Sequence, residues 1–210
     1  MTNYRDYLWV EEFEFFTSDG YCLALVDAST TGDILTSLRT SDDRLSVVGA
    51  KAALRESHSL GVQHDVDGVR VQPVAIAEVA NGWTMLLQAP GFLGISDTAM
   101  AEIIMTHNVV SHGADRFVWW SGGVKKTSFE PLLPQADLAG VLADRQPPES
   151  RAHIVALIAE VGGIDLDETP GREFHHVAGS FALAERLTGV RITNNLLETS
   201  PFTVTNVTIE

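Results

Sequence analysis

Cysteine is almost missing from this chain. A single one, Cys22, stands among 210 residues, so no internal disulfide can form. Its setting in "GYCLALVDA" reads as a buried strand position, where a thiol behaves as a small apolar group. Cations are scarce too: 14 lysines and arginines stand against 28 aspartates and glutamates, a formal charge of -14. A field of that sign repels phosphate backbones and anionic lipid surfaces, which argues against nucleic-acid and membrane partners; the same excess suits plain solubility, the commoner reason for it, or docking to a basic protein partner. No apolar run approaches the roughly 20 residues of a membrane-spanning helix, and the opening "MTNYRDYLWVEEFEFF" lacks the basic start and apolar stretch of a secretory signal. We therefore expect a cytoplasmic protein. Internal repeats and low-complexity tracts are also lacking.

What remains is ordinary globular material: hydrophobic residues make up 45% of the chain and charged residues 20%, enough to bury a core without disulfide or metal staples. The expectation is one globular domain over 1–210, with a flexible polar loop at 55–67 and a linker near 144–150 before a C-terminal helical part. "YCLALVDAS" reads as a buried strand and "TGDILTSLR" as a short helix with Thr31 or Asp33 near its start. Between Thr40 and Gly68, Leu45, Val48 and Ala52 keep a helical spacing, but "RESHSLGVQHDVDG" reads as a long loop.

In "VRVQPVAIAEVANGWTMLLQAP" the pair Asn81-Gly82 sits between two β-rich runs. Asn-Gly favours a two-residue hairpin turn because both central residues take positive φ, which sets Ala80 opposite Trp83 and Glu78 opposite Met85. Pro73 cannot donate to a ladder and implies a bulge or sheet edge. "SDTAMAEIIMTHNVV" fits helix and strand equally. "LPQADLAGVLADRQPPES" reads as a weak helix running into a Pro-Pro linker. "SRAHIVALIAEVGG" reads as a helix capped by Ser150 and stopped by Gly162. From Arg172 to Gly189 the residues Phe174, Val177, Ala178, Phe181, Ala184 and Leu187 share one helical face, and "PFTVTNVTIE" alternates as a half-exposed strand. Strands and helices do not alternate strictly, so the fold class expected is α+β, an antiparallel sheet built from hairpins with helices packed on one face.

"SGGVKKT" invites comparison with a phosphate-binding loop. That motif needs Gly-Lys-Ser/Thr between a strand and a helix, so that amides and a helix N-terminus surround the phosphates. Here Val124 precedes Lys125, and "RFVWW" and "KKTSF" both read as strands, making Gly122-Gly123 the centre of a hairpin. A two-residue turn then pairs Trp120 with Lys125, Trp119 with Lys126, Arg116 with Phe129 and Phe117 with Ser128. Tryptophan opposite lysine is a cation-π geometry worth about 0.5–1 kcal/mol when exposed. One tryptophan should be core, and the other a cap over the core or an exposed contact. Arg116, Trp119, Trp120, Lys125, Lys126 and Glu130 are the candidate binding residues.

Other motifs lead nowhere catalytic. His107 and His112, with Asp115 nearby, and the adjacent His175-His176 miss the spacing that sets two imidazoles on one helical face, so no metal site is expected. Ser180 in "VAGSFALAE" lacks the strand-to-helix elbow of a nucleophilic serine and reads as helix packing. Asp42-Asp43, Glu11-Glu12 and Asp165/Asp167 read as solvated faces. No cofactor is implied.

Together "CLALVDASTTGDILTSL", "NGWTMLLQAPGFLG", "DRFVWWSGGVKKTSFEPLLP" and "ALAERLTGVRIT" resemble a family of uncharacterised proteins, a domain of unknown function abundant in actinomycetes. The resemblance spans about Trp9 to Ile192, implies a bacterial cytoplasmic domain and carries over no catalytic residue. The functional expectation is a non-enzymatic protein-interaction module, immunity- or inhibitor-like, toward a basic partner. The alternative is a small-ligand binder or enzyme with a pocket near the 116–130 hairpin. Self-association through the strand at 202–209 is a third possibility.

Overall fold

The computed structural model describes residues 2–17, 20–61, 63–64, 70–113, 115–140, 142–143, 146–167 and 173–209. Its strands are β1 (Cys22–Val26), β2 (Leu45–Val48), β3 (Gln63–His64), β4 (Arg70–Glu78), β5 (Thr84–Gln88), β6 (Val109–Gly113), β7 (Phe117–Ser121), β8 (Val124–Phe129) and β9 (Pro201–Ile209). They form one sheet in the order β2-β9-β4-β5-β1-β6-β7-β8, with β3 added to β4, and every pairing is antiparallel. The helices are α1 (Glu14–Thr17), α2 (Thr31–Ser37), α3 (Ala50–Leu60), α4 (Ala101–Thr106), α5 (Pro134–Leu138), α6 (Pro148–Val161), α7 (His176–Thr188) and α8 (Asn194–Thr199), and a 3-10 segment, Tyr4–Glu12, precedes them. The fold class is α+β, as the sequence implied.

Side chains of a strand alternate between faces, and β1, in the middle of the sheet, divides them cleanly. Leu23 and Leu25 enter a large core with the N-terminal segment, α3, α6 and α7. Ala24 and Val26 enter a smaller one under α2 and α4, with Trp120 at its far end. The long helices occupy one face, as expected; the second face is also roofed, by the two short ones. Helix α2 starts where its sequence directs: the Thr30 hydroxyl accepts from the Asp33 amide while the Asp33 carboxylate accepts from the Thr30 amide, a reciprocal cap.

The large core centres on α7. Phe181 lies with its ring 4.6 Å from His112, 5.1 Å from Phe16, 5.7 Å from Tyr7 and 6.1 Å from Tyr21, measured between centroids. Such edge and offset ring contacts add to the burial they accompany. Helix α7 comes this close because of Gly179, where an added Cβ would stand 2.9 Å from the Gly162 carbonyl oxygen. The Tyr7 hydroxyl then donates to Glu185 at 2.8 Å, tying the N-terminal segment to the same helix.

Both hairpins turn where the sequence says, and both shift by one residue beyond the turn. Asn81 (φ 62) and Gly82 (φ 75) occupy the two positive-φ positions, and the Trp83 amide donates to the Ala80 carbonyl. The Val79 amide then donates to Trp83 as well, so Glu78 pairs with Thr84 and Ala77 with Met85. At the second hairpin Gly122 (φ 61) and Gly123 (φ 73) form the turn, and Trp120 pairs with Lys125 as expected. A bulge then places Trp119 opposite Thr127, Val118 opposite Ser128 and Phe117 opposite Phe129, leaving Lys126 as the extra residue. The shift puts Phe129 beside Phe117 on the core face, ring centroids 5.2 Å apart. Register follows burial here.

Several expectations are corrected. Residues 55–60, read as part of a flexible loop, are the second half of α3, which buries Ala53, Leu54 and Ser57; of the rest of that loop, 62 and 65–67 lie outside the described residues. Leu45 and Val48 belong to a strand instead of a helix. Helix α6 begins at Pro148, before Ser150, so of the linker near 144–150 only 146–147 are described and non-helical. The open segment 96–110 holds both a helix, α4, and the start of a strand, β6. The strand at 202–209 lies inside the sheet, between β2 and β4, and offers no free edge over its first half. Asp165, read as solvated, is buried and accepts from the Asp167 amide. Pro73 sits where β5 has stopped pairing with β4, and its carbonyl accepts from the Gln88 side chain.

Truncating the ring at the centre of the large core should cost about 3–5 kcal/mol, so Phe181→Ala is expected to lower the urea midpoint strongly. Phe174, 52% exposed and outside α7, should give a change within about 0.5 kcal/mol when cut to alanine. Comparable losses in the two variants would contradict this account of the core.

Candidate functional site

Two recesses and one buried polar pair merit chemical scrutiny. The first recess forms at the base of the β7–β8 hairpin, where Arg116, Lys125, Thr127, Ser128, Asp137 and Gln146 enclose about 390 Å3. Two of the sequence candidates, Arg116 and Lys125, thus come together. Both are already paired: Arg116 Nη1 lies 3.0 Å from Asp137 Oδ2, and Lys125 Nζ 2.6 Å from Asp97. The same Asp137 oxygen accepts the Glu130 amide at 3.0 Å. The Gln146 amide donates to the carbonyls of Ser128 and Asp137, while the Thr127 hydroxyl donates to Gln146 at 2.6 Å. These bonds anchor the outermost strand to the segment that follows it.

The other candidates disperse. Trp120 is buried in the smaller core at 1% exposure, with the Lys125 ammonium 5.8 Å above its ring. Trp119 is the half-buried cap over the large core, tilted against His153 with centroids 6.1 Å apart. Lys126 occupies the bulge and faces neither tryptophan across the ladder. Glu130 contributes its amide to the Asp137 cluster, and its side chain is not part of the recess.

The buried pair is His112 and Tyr21, on adjacent strands β6 and β1. His112 is fully enclosed, its Nδ1 2.9 Å from the Tyr21 hydroxyl, and its Nε2 has no hydrogen-bond partner. Burial pushes the imidazole pKa down to about 3 and the Tyr21 phenol well above its usual value, so both stay neutral at physiological pH. Cys22 is equally sealed; burial lifts its thiol to about 11, leaving it unreactive. His107 belongs elsewhere, its Nδ1 2.8 Å from the Asp27 carbonyl. His175 stacks on Tyr4 and contacts Glu11 at 3.0 Å, and Ser180 donates to the His176 carbonyl inside its own helix. Among the described residues no group of three His, Cys, Asp or Glu side chains is placed to hold a metal ion.

The second recess went unread in the sequence, because it is assembled from three distant segments. Phe13, Phe15, Leu54, Glu12, Glu14 and Asn194 line a cleft of about 660 Å3 between the N-terminal segment, α3 and α8. A smaller hollow of about 280 Å3 shares Phe13, Lys51, Arg55 and Glu198 with it and reaches Val48 at the end of β2. The alternation of acids and rings in "EEFEFF" was the one signal available in advance. Lys51 places its ammonium 4.9 Å above the Phe13 ring, so this ring already carries a cation.

A family model described as a family of unknown function, DUF6461, matches residues 1–210. The chain belongs to that family. No curated protein and no solved structure matches it. For this DUF6461 member the chemistry must be read from its own residues: His112, Tyr21 and Cys22 are buried, and the two recesses are open. No helix among the described residues is long and apolar enough to cross a membrane.

His112 also fixes a pH dependence. Its folded pKa, about 3, lies below the ordinary 6.5, so between those values the unfolded chain binds the proton and the native one does not. Stability contributed by the neutral imidazole is complete above pH 6.5 and is lost as pH falls, by up to about 1.4 kcal/mol per pH unit. Urea titrations at pH 7 and pH 5 should show His112→Leu losing less stability between the two than wild type; equal losses would mean that His112 is not the group responsible.

Proposed function

We propose that this chain is a non-catalytic interaction module for a basic protein partner, of the kind in which a small acidic protein holds or neutralises a cationic one. The observation that carries the reading is where the charge sits. Of the acidic side chains described, only Asp137 and Asp165 are buried; the other described acids of this chain of net charge -14 are exposed or half-exposed, where they steer a positive partner and repel a negative one. The groups able to do chemistry support the same reading from the other side, since His112, Tyr21 and Cys22 are enclosed and Ser180 is spent within its helix.

A second reading, a small anionic ligand in the 390 Å3 recess, is favoured by Arg116 and Lys125 lining one space. It requires the ligand to displace Asp137 and Asp97 from their cations, which weakens it.

Tagged protein exposed to an extract of the organism that makes it should retain a basic protein at low ionic strength. The association rate should fall on the order of tenfold or more on raising salt. If no cationic protein is retained at low salt, or if binding ignores salt, the module reading fails. Stabilisation by small anions that is abolished in Arg116→Gln would instead favour the hairpin recess.

A further inference from the structure

The geometry points to the free edge of β2, with the cleft that continues it, as the docking surface for an extended cationic segment of the partner, added as one more strand. This rests on the basic-partner reading and assigns it a place.

Strand β2 ends the sheet, and nothing described pairs with its outer side. The Gly49 amide donates to the Ser200 carbonyl at 2.9 Å, and β2 meets β9 in the register Ser46–Thr203, Val47–Phe202, Val48–Pro201. Hydrogen-bonded pairs alternate along an antiparallel ladder, so Val47 faces β9 while Ser46 and Val48 turn N–H and C=O outward. Pro201, opposite Val48, has no N–H to offer, in agreement with that phase. The exposed edge carries apolar side chains as well, Leu45 at 45% and Val48 at 66% exposure. Sheets normally blunt such an edge.

The opposite edge is blunted. Strand β8 is bulged at Lys126, and its Ser128 carbonyl is taken by Gln146. Of the two ends, β2 is the one equipped for strand addition.

The sign of the guest follows from what adjoins the edge. The hollow that includes Val48 is also lined by Phe13, Leu197 and Glu198, the adjoining cleft by Glu12 and Glu14, and Asp42 and Asp43 are exposed ahead of Leu45. Arg44, exposed just ahead of Leu45, and Lys51 and Arg55 are the cations here, outnumbered by these carboxylates, and Lys51 lies over the Phe13 ring. A second copy is a poor occupant, since each copy brings a charge of -14.

The test uses the full chain and a short labelled peptide of alternating lysine and valine, followed by fluorescence anisotropy at low salt. Wild type should bind it, and a glutamate-valine peptide should not. Ser46→Pro removes only an outward N–H, which an edge strand tolerates; it should keep the thermal midpoint and lose affinity on the order of tenfold. Should that variant fail to fold, Val48→Lys, at an exposed side chain, is expected to weaken binding while Val48→Glu does not. Equal binding by wild type and the edge variants, or no binding by wild type, overturns the assignment. A concentration-dependent dimer lost in Ser46→Pro overturns it in favour of a second copy. A basic partner captured equally by wild type and Ser46→Pro would leave the module reading standing and the edge assignment fallen; capture by neither would remove the module reading itself.

Discussion

The packing of Phe181 against His112 and Tyr21 is the contact on which the rest of the molecule depends. It joins the most regular helix to the middle of the sheet, and it draws the N-terminal segment over both through Tyr7 and Phe16. The approach is close because Gly179 meets the backbone of Gly162 without a side chain between them, and packing at this density leaves no slack to absorb a shift. A polar residue at the heart of such a core is tolerated because His112 stays neutral and Tyr21 occupies one of its nitrogens. The cost is a nitrogen without a partner, Nε2, and burying it is part of why this imidazole resists protonation.

How much was legible in the sequence depended on the range of the interactions that decide it. Turns were legible, because Asn81-Gly82 and Gly122-Gly123 carry their positive φ locally. Helix α7 was legible because its apolar stripe is long and Gly189 ends it in a left-handed conformation. Register beyond each turn was not: one extra residue, near Val79 in one hairpin and at Lys126 in the other, is set by which side chains the core accepts. Helix α3 was hidden because its sequence is mostly polar and only a narrow face, Ala50, Ala53, Leu54 and Ser57, is buried. The 3-10 segment Tyr4–Glu12 has no strong period to betray it, although Asn3 and Asp6 form a capping box at its start.

The candidate site divides in the same way. Arg116 and Lys125, both singled out as candidates, line one recess, but the carboxylates that neutralise them come from Asp137 and Asp97, partners that no local spacing announced. The cleft beside α3 draws on chain segments near 13, 51 and 198, and a surface of that origin becomes visible only when the chain is folded. What composition did convey was sign: with the cores closed on both sides of the sheet, the acidic excess has nowhere to reside but the exterior.

The unequal ends of the sheet have a further consequence. Growth of a fibre by edge-to-edge stacking requires that every added unit present a fresh edge for the next. Here the Ser128 carbonyl at the β8 end is occupied by the side chain of Gln146, so copies of this chain cannot stack β2 against β8 in an unbroken ladder. The unequal ends oppose head-to-tail growth of the chain into a fibre.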